Sequence, residues 1–182
     1  MSTAHLLRDM LRATPGDYFS SELNQKSDAI SVGLLAGTMV LTNEGLMEVE
    51  NIRPGDVVLT HNAAGGGMRG VVWNTRRKLT VSRHHSADHL RPVCIAAGAF
   101  GPNVPERDVR LARNQAVLLG GLLYQAESLV NGTSIAHELF SGPVTYHQIE
   151  LERPDVLLAE NLPVMSFHAG SSNAVTGRAY SA

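Results

Sequence analysis

Cysteine is almost missing from this chain: Cys94 is the only one in 182 residues. That excludes an internal disulfide and a zinc site built on cysteine thiolates. Aromatic residues are scarce at 5 %, which ranks a carbohydrate-stacking groove below other binding roles. No run approaches the roughly 18 apolar residues of a membrane-spanning helix, so membrane insertion is not expected. The first residues, MSTAHLLRDMLRATPGD, lack a basic stretch followed by a long apolar one. The expectation is cytoplasmic synthesis without a signal peptide. Neither sign of charge dominates: 15 basic side chains face 17 acidic ones, for a net charge of −2. Nucleic-acid binding carried by bulk charge is excluded on that ground.

What is present suits one globular domain with short appendages. The apolar fraction is 43 %, enough for a buried core at this length. Short β-branched and apolar runs recur, with turn residues every 8–12 positions, the pattern of an all-β domain. Thr38–Thr42 is one such run, and Asn43-Glu44-Gly45 after it has turn chemistry. Leu46–Val49 then runs back, and Glu50–Asp56 forms a corner around Pro54-Gly55. Val57–Thr60 follows. The spacing predicts further strands at Val71–Trp73, Lys78–Ser82, Leu90–Ala97, Val109–Leu111, Ala116–Leu119, Leu122–Ala126, Thr133–Ile135, Val144–Leu151 and Val156–Ala159. The glycine-rich run Asn62–Gly67 reads as a hairpin tip, because no P-loop Lys-Ser/Thr follows it.

The ends differ in character. Leu6, Leu7, Met10 and Leu11 fall at helical spacing, and Thr14-Pro15-Gly16 would stop a short amphipathic helix there. Residues 17–30 read as an arm or linker, and the tail GSSNAVTGRAYSA is small and polar. The organisation is therefore an N-terminal arm over 1–32, a β-domain over 33–166 and a C-terminal tail over 167–182.

The first hairpin and corner recur. VLTNEGLMEVENIRPGDVV, beginning at Val40, lies without a gap on VLLGGLLYQAESLVNGTSI, beginning at Val117, an offset of 117 − 40 = 77 residues. Leu46 falls on Leu123, Glu50 on Glu127, Ile52 on Leu129, Gly55 on Gly132 and Val58 on Ile135. Two copies are too few for a solenoid. They suit a domain of approximate two-fold symmetry in which each half completes the other's core.

A duplicated unit of this kind resembles the Hint (Hedgehog/intein) family, in a bacterial subfamily. AGTMVLTNEGLMEVENIRPGDVVLT resembles the family's first block, and RPVCIAAGAFGPNVPERDVRLARNQAVLL its central one. SLVNGTSI and VTYHQIELERPDVLLAENLPVMS resemble the later blocks. The resemblance implies a pseudo-two-fold β-fold of short curved hairpins over Gly33 to Ser166. It also implies self-cleavage. In such proteins a Cys or Ser at the first position attacks the preceding carbonyl. A His in a Thr/Ser-x-x-His step bonds the scissile amide and assists the leaving nitrogen.

Carried over position by position, these groups are replaced here. The nucleophile position falls on Gly33. The Thr/Ser-x-x-His step falls on Ala112-Arg113-Asn114-Gln115, so its hydroxyl becomes Ala112 and its imidazole Gln115. A carboxamide is not a general acid near pH 7. The His of the last block falls on Pro154. The resemblance thus implies a degenerate Hint domain, with no catalytic set and no cofactor, reused as a structural or interaction subunit. Its expected partners are proteins, with a homo-oligomer or a larger virion-like or surface assembly formed through the two arms. The alternatives are a self-processing enzyme with a rearranged site at Ser31 or Cys94, and a ligand-binding module near His147 and Gln115.

The remaining polar residues are weighed against plainer roles. Cys94 reads as a core thiol between Val93 and Ile95. His84, His85 and His89 are the densest metal-ligand cluster, but a solvated turn between strands accounts for them. His147 reads as a supporting residue beside the old site. His137 and Glu138 read as surface groups. Asp56 is expected to cap the corner backbone, and Glu50 to pair with a nearby cation.

Overall fold

The first hairpin forms where its turn residues place it. In the computed structural model, which describes residues 32–61, 66–81, 90–139, 141–168 and 178–179, β2 (Met39–Thr42) pairs antiparallel with β3 (Gly45–Glu48). Thr42 Oγ1 donates to the Gly45 carbonyl at 2.7 Å and accepts the Glu44 amide at 3.2 Å. Gly45 has φ of +110°, a conformation that glycine adopts without a Cβ penalty. Val40 and Thr42 face the interior while Met39 and Leu41 are half-exposed, as alternation along a strand requires. A 3-10 helix, Val49–Asn51, then turns the corner. Asp56 Oδ2 accepts the Arg53 amide at 2.8 Å, the local cap expected of it. β4 (Val57–Thr60) follows.

The second copy repeats these elements. β8 (Ala116–Leu119) pairs with β9 (Leu122–Gln125) through Gly120-Gly121, both glycines having positive φ, 56° and 79°. A second 3-10 helix, Ala126–Leu129, turns its corner, and β10 (Ile135–His137) takes the place of β4. One hydrogen bond matches between copies. The Val49 amide donates to the Thr38 carbonyl at 2.8 Å, and the Ala126 amide to the Gln115 carbonyl at 2.9 Å. Thr38 and Gln115 therefore hold equivalent places.

Two long strands join the halves. β5 (Gly67–Val81) pairs with β4 through its first residues and with β11 (Gly142–Leu151) through the rest. The sequence reading splits β5 in two at Asn74–Arg77. The structure keeps it continuous because Asn74 is held: its Nδ2 donates to the Val49 and Ile52 carbonyls at 2.7 and 2.9 Å. β1 (Leu34–Leu35) lies between β11 and β7 (Val109–Leu111). β6 (Val93–Ile95) joins β7 to β10. On the other side β12 (Val156–Ala159) bonds β2, β4 and β13 (Leu162–Met165), and β13 bonds β8. β14 (Arg178–Ala179) closes the row on β9. All fourteen strands form one hydrogen-bonded sheet that curls on itself around a core.

That core draws on both copies: Val40, Val49, Ile52 and Val58 pack in one cluster with Val117, Ala126 and Ile135. The fold is the all-β, duplicated architecture expected. The expected N-terminal helix lies outside the described residues, as do Asn62–Gly65 of the hairpin tip. Among the described residues no helix is long and apolar enough to cross a membrane.

Candidate functional site

Gly33, Ala112 and Gln115 meet at the start of the domain. β1 is wedged between β7 and β11, which brings Gly33 beside the 112–115 turn on one side and His147-Gln148 on the other. The Gly33 amide donates to Gln115 Oε1 at 3.0 Å. The Gly33 carbonyl accepts the Ala112 amide at 2.9 Å. Gln115 thus ties the start of the domain to the 112–115 turn. Gln115 is 3 % exposed, and its other end is used too. Nε2 donates to the Met165 carbonyl at 2.8 Å and to the Ala116 carbonyl at 3.2 Å.

The peptide before Gly33 is gripped at both ends. Gln148 Nε2 donates to the Val32 carbonyl at 3.0 Å, while Gln115 takes the amide. Two carboxamides thus hold the Val32–Gly33 peptide, one as donor to its oxygen and one as acceptor from its nitrogen. A carboxamide donor can stabilise charge on that oxygen. Neither carboxamide can deliver a proton to a leaving nitrogen at neutral pH. Gln148 is the residue that sequence reasoning missed. Its role rests on a contact across 116 residues that no local pattern announces.

Gly33 leaves no room for a side chain. Gly33 is buried, with φ of +139°, and a Cβ built on it would stand 2.8 Å from the His147 carbonyl oxygen. That is inside van der Waals contact with backbone, in a conformation that side-chain-bearing residues rarely adopt. A Cys or Ser at this position requires the β1–β11 contact to shift.

His147 lies on β11 opposite Leu34. Its carbonyl faces Gly33, but its ring does not share that face: Gln148 reaches Val32, and neighbouring residues on a strand point oppositely. Nδ1 lies 3.2 Å from Asn74 Oδ1. Asn74 uses its NH2 on the corner carbonyls, so Oδ1 is the acceptor and Nδ1 carries the proton. Nε2 is buried with no hydrogen-bond partner. Burial lowers the ring's pKa; Glu50 opposes that shift and Arg76 adds to it. Glu50 itself caps the Gly37 amide at 2.7 Å; the cation expected beside it is not found among the described residues.

The other sequence candidates lie elsewhere. Pro154 is exposed in the connection between β11 and β12. Met165, through its carbonyl, is the later-block residue that reaches Gln115. Cys94 is half-buried, not a core thiol, because Val93 and Ile95 take the inward face of β6. Burial pushes its thiol up, against the lowering effect of Arg110. A raised thiol is a poorer nucleophile at neutral pH. His137 and Glu138 are engaged: His137 Nε2 lies 3.3 Å from Glu127, and Glu138 takes Arg110. His84, His85, His89 and Ser31 lie outside the described residues. Among the described residues no three potential ligands gather around one point to hold a metal.

Comparison with known proteins bears on the same region. A family model described as a Hint domain matches residues 32–171. No curated protein matches significantly. Among solved structures, a bacterial intein-like domain from Clostridium thermocellum superposes with TM-score 0.50 at 15 % identity, covering 75 % of this chain and 99 % of that one. A DnaB intein from Synechocystis sp. PCC 6803 gives TM-score 0.52 at 10 % identity, covering 75 % and 99 %. At such identities the likeness is one of fold.

Proposed function

This chain belongs to the Hint domain family, and from that premise we propose that it is a member that does not cleave itself, its β-shell reused as a structural or interaction subunit. The observation that carries this reading is the closed position at Gly33. The family reaction starts from a side chain there, and here a backbone carbonyl lies 2.8 Å from where the first side-chain atom would be. Gln115 supports it, because it keeps the hydrogen bond of the family's His but not its acidity. The chain's organisation in this reading is an arm over 1–32, the Hint domain over 33–166 and a tail over 167–182. The arm and the tail carry the contacts with protein partners in a multi-subunit assembly.

The test is intact mass. The full chain is incubated for days at neutral pH with and without a thiol or hydroxylamine, which capture thioesters and esters. The expected result is one mass, that of the uncut chain. A thiol-dependent fragment beginning at Gly33 overturns the reading.

A further inference from the structure

The sheet ends on an edge that the sequence leaves unguarded. β9 is Leu122-Leu123-Tyr124-Gln125. It has none of the lysines, prolines or inward charges that usually keep an edge strand from pairing with another chain. What pairs with it is the chain's own C-terminal segment, β14, through Arg178↔Leu123 and Ala179↔Leu122. That is two of the four β9 residues. The contact is only two residue pairs long, so it holds the tail weakly. The nine residues before it, AGSSNAVTG over 169–177, are small and polar. Fully extended, nine residues span up to about 30 Å, enough to reach a neighbouring molecule's edge.

We propose that β9 is a strand-acceptor edge whose occupant in the assembled protein is the β14 segment of a second copy, exchanged reciprocally. Every chain carries both the donor segment and the acceptor edge. Two copies can therefore satisfy each other with the same backbone bonds that each makes alone, and reciprocal exchange closes as a two-fold dimer. Main-chain bonds supply the pairing, as in other strand-addition interfaces. The proposal rests on the interaction-subunit reading and specifies its surface. Its test reads connectivity between chains rather than the integrity of one chain, so failure of one leaves the other standing.

Directly opposed residues on paired strands have Cα atoms about 4.5–5.5 Å apart, within disulfide reach. Two full-length variants, both Cys94→Ser, carry Leu122→Cys and Ala179→Cys respectively. They are mixed, left to equilibrate and mildly oxidised. A covalent heterodimer on a non-reducing gel is the expected result. A chain carrying both substitutions that links only within itself, with no heterodimer on mixing, overturns the exchange. Absence of either link overturns it as well. Light scattering of the unsubstituted chain guards against a misfolded variant: a dimer is expected, becoming a monomer on Ala179→Pro, which removes a tail amide without touching the domain. An unchanged mass after that substitution counts against the proposal.

Discussion

Gln115 holds Gly33: the glutamine Oε1 accepts the glycine amide at 3.0 Å across 82 residues of chain. The same side chain bonds the Met165 carbonyl, so one carboxamide ties the first strand to the 112–115 turn and to β13. Its removal leaves the buried Gly33 amide and the part-buried Met165 carbonyl each without that partner. Gln115→Leu is expected to lower stability by about 2–4 kcal/mol, from roughly 1–3 kcal/mol per unsatisfied buried group. Urea unfolding measures the loss, and amide exchange at Gly33 should speed up locally. An unchanged midpoint would mean that the bond does not form in solution.

Filling the Gly33 position is expected to damage the fold without creating activity. Gly33→Ala and Gly33→Cys both place a Cβ 2.8 Å from the His147 oxygen at φ of +139°. A loss of roughly 2–4 kcal/mol is expected, because strain and a backbone clash act together. Combining Gly33→Cys with Gln115→His supplies a thiol and an imidazole yet leaves the clash in place. The double variant is expected to stay whole by mass spectrometry, and efficient cleavage by it would show that the β1–β11 contact yields easily.

The His147 ring predicts acid sensitivity of a definite sign. Burial lowers its pKa in the folded state, relative to the usual value near 6.5. Above that value the ring is neutral both folded and unfolded, and its full contribution is present. As pH falls below it, the unfolded chain takes up the proton first, so stability drops until the folded-state pKa is passed. A proton on Nε2 would have no acceptor in its buried position. The groups that act on this ring are Glu50, which favours the charged form, and Arg76, which disfavours it. Unfolding midpoints measured from pH 7.5 down to 5 should fall, and His147→Gln should flatten that slope.

Much of this fold is legible in the residues, because the hairpins announce themselves. Asn43-Glu44-Gly45 and Gly120-Gly121 are turn chemistry, and the runs beside them are short and rich in apolar residues. The copy from Val40 predicts the copy from Val117, down to matching 3-10 corners. Less legible is what depends on distant partners. Asn74 and Arg76 look like a break between strands until the corner carbonyls and His147 are seen to hold Asn74. β13 escapes notice because Pro163 interrupts it, although Pro163 is paired opposite Leu158. Cys94 looks buried from its neighbours, but period-two alternation turns it the other way. At the site, alignment to a family pattern points to Gly33, Ala112 and Gln115, which the structure brings together. It does not find Gln148, whose partner is a backbone oxygen 116 residues away.

That separation bears on the order of events during synthesis. The grip on Val32–Gly33 needs Gln148 from β11 and, through Gln115, the Met165 carbonyl of β13. A ribosome must deliver nearly the whole domain before the start of the domain can be fixed. Topologies dominated by such long-range pairings fold slowly. The Val32–Gly33 peptide therefore emerges well before the residues that hold it. Throughout that interval this peptide lacks both carboxamide partners and is open to chaperones, proteases or a waiting partner.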